Sequence, residues 1–254
     1  MPRAFTRAVS ARLAECELTH IDRVAIDAGL AAAQHAAYEQ ALANTGFQII
    51  RLPELGDHPD AVFVEDTALL LVDNAVITRP GAASRQSETS STAAGLAPHF
   101  TIHRIESGFV DGGDILRIGR RIHVGLSTRT DEAGIDALSA IVGPLGFDVR
   151  RAELGDCLHL KSGATLAGAN ILLFNPRAID PAQFEDVEPV AVDPSELAAA
   201  NCVNLGDRLI LPAGNPRTAA RLRQRGLTVV EVDVSELQKA EAGVTCMSLL
   251  DERE

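Results

Sequence analysis

The chain has no tryptophan, a single tyrosine and 8 phenylalanines in 254 residues. Its core must therefore be built from Ala, Val, Leu and Ile, which a 46% hydrophobic composition supplies. No apolar run approaches the roughly 20 residues that cross a bilayer as a helix, and the opening MPRAFTRAVSARLAE lacks the apolar stretch of a secretory signal. A membrane partner is not expected. Paired cysteines are missing too: Cys16, Cys157, Cys202 and Cys246 are scattered without a C-x-x-C. That pattern suits reduced thiols in the cytoplasm better than a disulfide framework. Basic residues are scarce, 23 Lys+Arg against 35 Asp+Glu for a net charge of -12. This argues against nucleic acid as a partner and suits a small cation drawn into a negative cleft.

What is present is a recurring grammar. Val62 to Glu88 reads VFVEDTALLLVDNAVITRPGAASRQSE. The acidic pair Glu65-Asp66 leads into an apolar run, Asp73-Asn74 turns it, a second apolar run follows, and Arg79 and Arg85 come after. Asx between two β-rich runs marks a hairpin. Asp111-Gly112-Gly113-Asp114 opens the same pattern, which turns at Gly119-Arg120 and runs on to Ser127, Arg129 and Thr130. His159, Lys161 and Ser162 precede a turn at Gly168-Ala169-Asn170, and Asn201 and Asn204 precede Gly206-Asp207. The turns recur every 35 to 50 residues, roughly the period of a propeller or repeat array. Cys246, at the start of the last apolar run, takes the equivalent place in a fifth unit. One α/β domain over residues 1–254 is expected. If its units ring an axis, the polar residues that open each first strand converge.

Between the hairpins, Asp27 is placed to cap an Ala-rich helix through Asn44, with Gly46 beyond its end. Leu30, Ala33, Ala37, Tyr38, Ala41 and Leu42 are its expected buried stripe. Thr130 is expected to cap a helix to Val142, and Asn215, Pro216 and Gly226 frame another. LTVVEVDV and VTCMSLL read as strands.

A cysteine in a core strand is usually only a small hydrophobe. Cys246, however, stands where the other units place Glu65, Asp111, His159 and Asn201, so it is a candidate nucleophile with His159 as its proton partner. Cys157 is the rival, because residues two apart on a strand share a face. With His159 it would supply only two metal ligands, a poor basis for zinc. The carboxylates Glu65, Asp66, Asp111 and Asp114 need cations if they face a buried channel. Either Arg85 and Arg129 pair with them, or the acids grip a ligand cation while the arginines grip a ligand carboxylate through forked hydrogen bonds.

The blocks FVEDTALL, ITRPGAASR, DGGDIL, GLSTRT, LHLKSG, AANCVN, LPAGNPRT and KAEAGVTCMS resemble, in order and spacing, the motifs of the dimethylarginine dimethylaminohydrolases of the guanidino-group-modifying (pentein) superfamily. Glu241-Ala242 departs from the family's commoner Asp-Gly. The resemblance implies a five-bladed α/β propeller with pseudo-fivefold symmetry. It implies Cys246 as nucleophile, His159 as general acid and base, and Asp111 as the acid beside that histidine. Glu65 and Asp66 would be the acidic pair of the substrate pocket, and Arg85 and Arg129 the clamp on an α-carboxylate. Asp60, with the backbone of Leu18 and Ala240, would surround the amino-acid head. The implied reaction, with no metal or organic cofactor, hydrolyses Nω-methylated arginine to citrulline and an amine. Arginine deiminase on the same scaffold is the nearest alternative. An amidinotransferase or a non-catalytic ribosome-binding pentein fits less well, and a homodimer is left open.

Overall fold

A computed structural model describes residues 1–251. The chain starts inside the sheet that it finishes last. Strand β1 (Arg3–Thr6) is followed by helix α1 (Ala28–Asn44) and by β2 (Gln48–Arg51), which pairs parallel to β1. The next unit is the hairpin β3 (Ala68–Leu71) and β4 (Asn74–Ile77), then α2 (Glu88–Leu96) and β5 (Thr101–Arg104). The unit repeats as β6 (Ile115–Ile118), β7 (Arg121–Gly125), α3 (Glu132–Val142) and β8 (Asp148–Ala152). The crossover of the following unit carries only a 3-10 turn, Pro181–Gln183. The one-turn helix α4 (Leu160–Gly163) leads into β9 (Ala164–Leu166), then β10 (Ile171–Phe174) and β11 (Glu188–Ala191). The fourth unit has β12 (Val203–Asn204), β13 (Arg208–Pro212), α5 (Pro216–Gln224) and β14 (Thr228–Val232). After α6 (Ser235–Gln238), strand β15 (Leu249–Asp251) pairs antiparallel with β1, and the Arg3 guanidinium grips Asp251 at 2.9 Å through Nε.

Five three-stranded sheets result, each with its first strand antiparallel and its third parallel to the middle one. Every sheet buries aliphatic side chains against a crossover segment or a neighbouring sheet, so the core is five clusters rather than one. The axis is thereby left to polar groups. No helix among the described residues is long and apolar enough to cross a membrane.

Local signals account for most element ends, with instructive exceptions. Asp27 does cap α1, accepting from Leu30 N at 3.0 Å, and Gly46 adopts φ +99° beyond it. The buried face of α1 is rotated from the apolar stripe expected: Leu30, Ala33 and Ala37 are exposed, whereas Gln34, His35 and Glu39 are buried. Two of these polar side chains have partners that the helix alone does not reveal. Glu39 accepts from Thr6 Oγ1 at 2.7 Å and from Arg51, and Gln34 bonds Ser235 Oγ and Glu236 N. Asp131, not Thr130, caps α3 through Gly134 N at 2.8 Å. The N-terminus of α5 is satisfied by Glu196, which accepts from Arg217 N and Thr218 N at 2.9 and 2.7 Å, while Asn215 turns back to Pro212 O. The segment VTCMSLL is not one strand: Thr245–Met247 forms a 3-10 turn before β15.

Three of the hairpin turns place glycine in the left-handed region, Gly119, Gly168 and Gly206 at φ +61°, +103° and +86°. In the β3–β4 hairpin Val72 takes φ +51° instead, although it is exposed. A β-branched side chain is disfavoured there. Val72→Gly is expected to stabilise the protein by ~0.5–1 kcal/mol, strain relief exceeding the added unfolded-chain entropy. The check is a higher denaturant midpoint at an unchanged slope; a lower midpoint would contradict it.

Candidate active site

Each first strand is preceded by a tight turn or one-turn helix: Val64–Thr67, Gly112–Asp114, Leu160–Gly163, Leu197–Ala200 and Thr245–Met247. The polar residues read as strand openings sit on or beside these turns. A short turn bends the chain away from the sheet and aims its side chains differently from an extended strand. Asp60, Asp66, Arg85, Asp111, Arg129, His159, Ala240 and Cys246 line one small pocket, with ≈ 30 Å³ of free space.

His159 has extended backbone just before α4, and its Nε2 lies 3.0 Å from Asp111 Oδ2. Its Nδ1 is 3.9 Å from Asp66 Oδ1. The ring can approach so closely because of the double glycine: a Cβ on Gly113 would lie 2.7 Å from His159 Nδ1 and 2.8 Å from Asp66 Oδ1. Asp111 is fixed in turn by Gly81 N, 2.9 Å from Oδ1, and Asp114 accepts from Leu160 N, Ser127 Oγ and Thr130 Oγ1 at 2.9, 2.6 and 2.7 Å. Thr130, which does not cap α3, is thus spent on Asp114.

Burial alone would lower the imidazole pKa, but Asp66, Asp114 and Asp111 outweigh it and hold His159 at about 10. Burial would raise Asp66; the charges of His159 and Arg85 and the hydrogen bonds from Arg85 and Gly113 N more than offset it, leaving Asp66 below the usual carboxylate range. Burial first, then Glu65 and Asp66, push the Cys246 thiol far above its ordinary value, with Gly243 N, 3.3 Å from Sγ, acting in the opposite direction. At rest the pair is an imidazolium and a neutral thiol.

The arginines divide. Arg85 is buried: Nη1 pairs with Asp66, while Nε and Nη2 reach Glu88 and the carbonyls of Asp60 and Phe63, leaving a free donor only on Nη1. Arg129 is half-buried and donates from Nη2 to Thr19 Oγ1 at 2.9 Å. Asp60 accepts from Glu17 N at 3.1 Å, and burial raises its pKa to about 6.

Two expected residues lie apart from the pocket wall. Leu18 packs on the core around α1. Glu65 faces a separate cavity of ≈ 480 Å³ and is held there by Lys161 Nζ and Thr245 Oγ1, both at 2.6 Å. Cys157 is not on a strand with His159; it occupies a loop and lines a third cavity. Sequence reasoning missed Phe63, Leu158 and Glu17 as walls of the pocket. It also missed what Glu241 does: its carboxylate accepts from the N–H groups of Thr19, His20 and Ile21, fastening that segment beside the pocket.

The chain is 38% identical over 250 residues to the N(G),N(G)-dimethylarginine dimethylaminohydrolase of Streptomyces coelicolor, covering 97% of this chain and 96% of that protein. It is 38% identical over 219 residues to the enzyme of that name from Pseudomonas aeruginosa, covering 85% and 86%. The chain belongs to the dimethylarginine dimethylaminohydrolase family. The solved structure of a cysteine-to-serine mutant of the Pseudomonas aeruginosa dimethylarginine dimethylaminohydrolase, complexed with citrulline, superposes with a TM-score of 0.91 at 35% identity over 98% of both chains. No family model matches the chain. The five-bladed pentein expectation is borne out by that likeness and by the five sheets formed by the described residues.

Because the folded pKa of His159, about 10, lies above the 6.5 of a free imidazole, its cluster stabilises the fold fully below pH 6.5. That contribution is lost as pH rises toward 10. NMR titration of the His159 ring should show it protonated at pH 7, with Asp66→Asn lowering its midpoint by roughly one unit or more. A ring that titrates near 6.5 in both proteins would contradict this.

Proposed function

We propose that the whole chain is one catalytic domain that hydrolyses Nω-methylated L-arginine to citrulline and an amine, with Cys246 as nucleophile. The observation that carries this reading is the gathering of Cys246, His159, Asp111 and Asp66 in one pocket whose resting charges await a cation. A guanidinium supplies it. Asp66 and Asp111 accept its N–H groups, and its positive charge offsets the acids that keep the thiol protonated, so the thiol releases its proton to solvent.

The thiolate then adds to the guanidinium carbon, forming a C–S bond and a neutral tetrahedral adduct. Imidazolium His159 gives its proton to the methylated nitrogen, the C–N bond breaks, the amine departs and a covalent thiouronium remains. Neutral His159 next takes a proton from water as the water oxygen bonds to the same carbon. Collapse of this second adduct breaks the C–S bond and releases citrulline; its hydroxyl proton passes to solvent, from which the departing thiolate is reprotonated. Arg129, aided by the free Nη1 donor of Arg85, holds the α-carboxylate. Asp60 and the backbone of Leu18 and Ala240 hold the α-amino group. Glu65 acts from outside the pocket by bracing the turn that carries Cys246. Four free cysteines fit a reducing cytoplasm.

The test is incubation with asymmetric dimethylarginine, monomethylarginine and arginine, scoring citrulline. Citrulline is expected from the methylated substrates, and Cys246→Ser should lower turnover by roughly 10³-fold or more. Turnover of arginine alone would replace the methylarginine assignment with a deiminase, and full activity in Cys246→Ser would remove the nucleophile.

A further inference from the structure

Four of the five turns carry groups used above; the fourth sheet's place is held by Asn201, which that chemistry leaves without a task. We infer that Asn201 is a positioning residue that sets the aim of the Cys246 turn. The inference rests on the reading of Cys246 as nucleophile.

Asn201 is buried, and its amide is fully used. Oδ1 accepts from Thr245 N at 3.0 Å, and Nδ2 donates to Thr245 Oγ1 at 2.9 Å and to Lys161 O at 3.0 Å. The backbone N–H and the hydroxyl of the residue preceding Cys246 are thus held by one rigid, planar side chain. The segment that leads into the turn is held by contact as well. A Cβ on Gly243 would collide with the Asn201 amide, so the chain presses against it there, and Gly243 is the residue whose N–H reaches Cys246 Sγ at 3.3 Å.

The contacts close into a ring. Because Asn201 Nδ2 occupies a lone pair of Thr245 Oγ1, the threonine hydrogen is directed to Glu65 Oε2 at 2.6 Å. Glu65 Oε1 accepts from Lys161 Nζ at 2.6 Å, and Lys161 O returns the path to Asn201. Groups from four of the five turns are tied together behind the nucleophile. In a covalent mechanism a misplacement of about 1 Å costs on the order of 10²-fold, so a side chain that fixes the entry to the turn at two points governs the chemical step more than substrate binding.

The test compares native protein with Asn201→Ala, Asn201→Asp and Thr245→Val. Asn201→Asp keeps the shape and the acceptor for Thr245 N but lacks both donors. Two readouts are taken: steady-state kinetics on asymmetric dimethylarginine per titrated thiol, and alkylation of Cys246 by neutral iodoacetamide against cationic 2-chloroacetamidine. For positioning, kcat falls at least about 10-fold while KM stays within about threefold. The ratio of cationic to neutral alkylation rates falls at least about fivefold, because the sulfur no longer faces the site where acids hold a cation. Unchanged kcat per titrated thiol with an unchanged ratio would overturn the inference and leave Asn201 a strut of the fold. Should Asn201→Ala not fold, the other two variants give the same readouts. If even the native protein leaves methylarginine intact, the function reading fails, and the alkylation ratio still decides the role of Asn201.

Discussion

Three buried carboxylates, Asp66, Asp111 and Asp114, converge on the imidazole of His159. Removing so many charges from water is costly, and each is compensated differently. Asp66 pairs with Arg85, Asp111 with the ring itself, and Asp114 with two hydroxyls and a backbone N–H. Burial first, then Glu65 and Asp66, keep Cys246 a neutral thiol, and Asp66 is also among the acids that make His159 a cation. Such a pair is badly poised for attack in the empty site. It becomes well poised when a second, mobile cation enters, because that charge stabilises the thiolate while His159 keeps the proton that the leaving amine needs. The preference for a guanidinium therefore lies in the electrostatics as much as in pocket shape.

The propeller makes this arrangement affordable. Since each of the five aliphatic clusters lies between two neighbouring sheets, no apolar side chains are needed on the axis, and five turns can deliver polar groups from points far apart in sequence. The turns also separate two cavities. The narrow one holds the thiol and imidazole; the wider one ends on Glu65, Lys161 and Thr245. Size alone would have chosen the wider cavity as the active site, and the position of the titratable groups argues for the narrow one.

Much of this was legible in the residues. The hairpin signals at Asp73-Asn74, Gly119, Gly168 and Gly206 marked the repeats, and position within the repeat singled out Glu65, Asp111, His159, Asn201 and Cys246. What was hidden depends on partners remote in the chain. The buried face of α1 was misread because Glu39 and Gln34 find partners on β1, on β2 and at α6. The cap of α5 comes from Glu196, twenty residues upstream of Pro216. Glu65 and Asp66, adjacent in sequence, face different cavities because successive side chains on a 3-10 turn point about 120° apart. The tie between Glu241 and the backbone of Thr19 to Ile21 spans nearly the whole chain, and no local pattern announces it.

The central claim is that burial, together with the nearby acids, holds Cys246 protonated until a cation arrives. Its most direct test is the ultraviolet thiolate titration of Cys246 in the ligand-free native protein and in Asp66→Asn, set beside kcat/KM for asymmetric dimethylarginine. The account predicts opposite movements: losing the Asp66 charge lowers the thiol midpoint, and yet kcat/KM falls because the cation is no longer held. A midpoint that does not move, or a lower midpoint accompanied by a faster reaction, would contradict it.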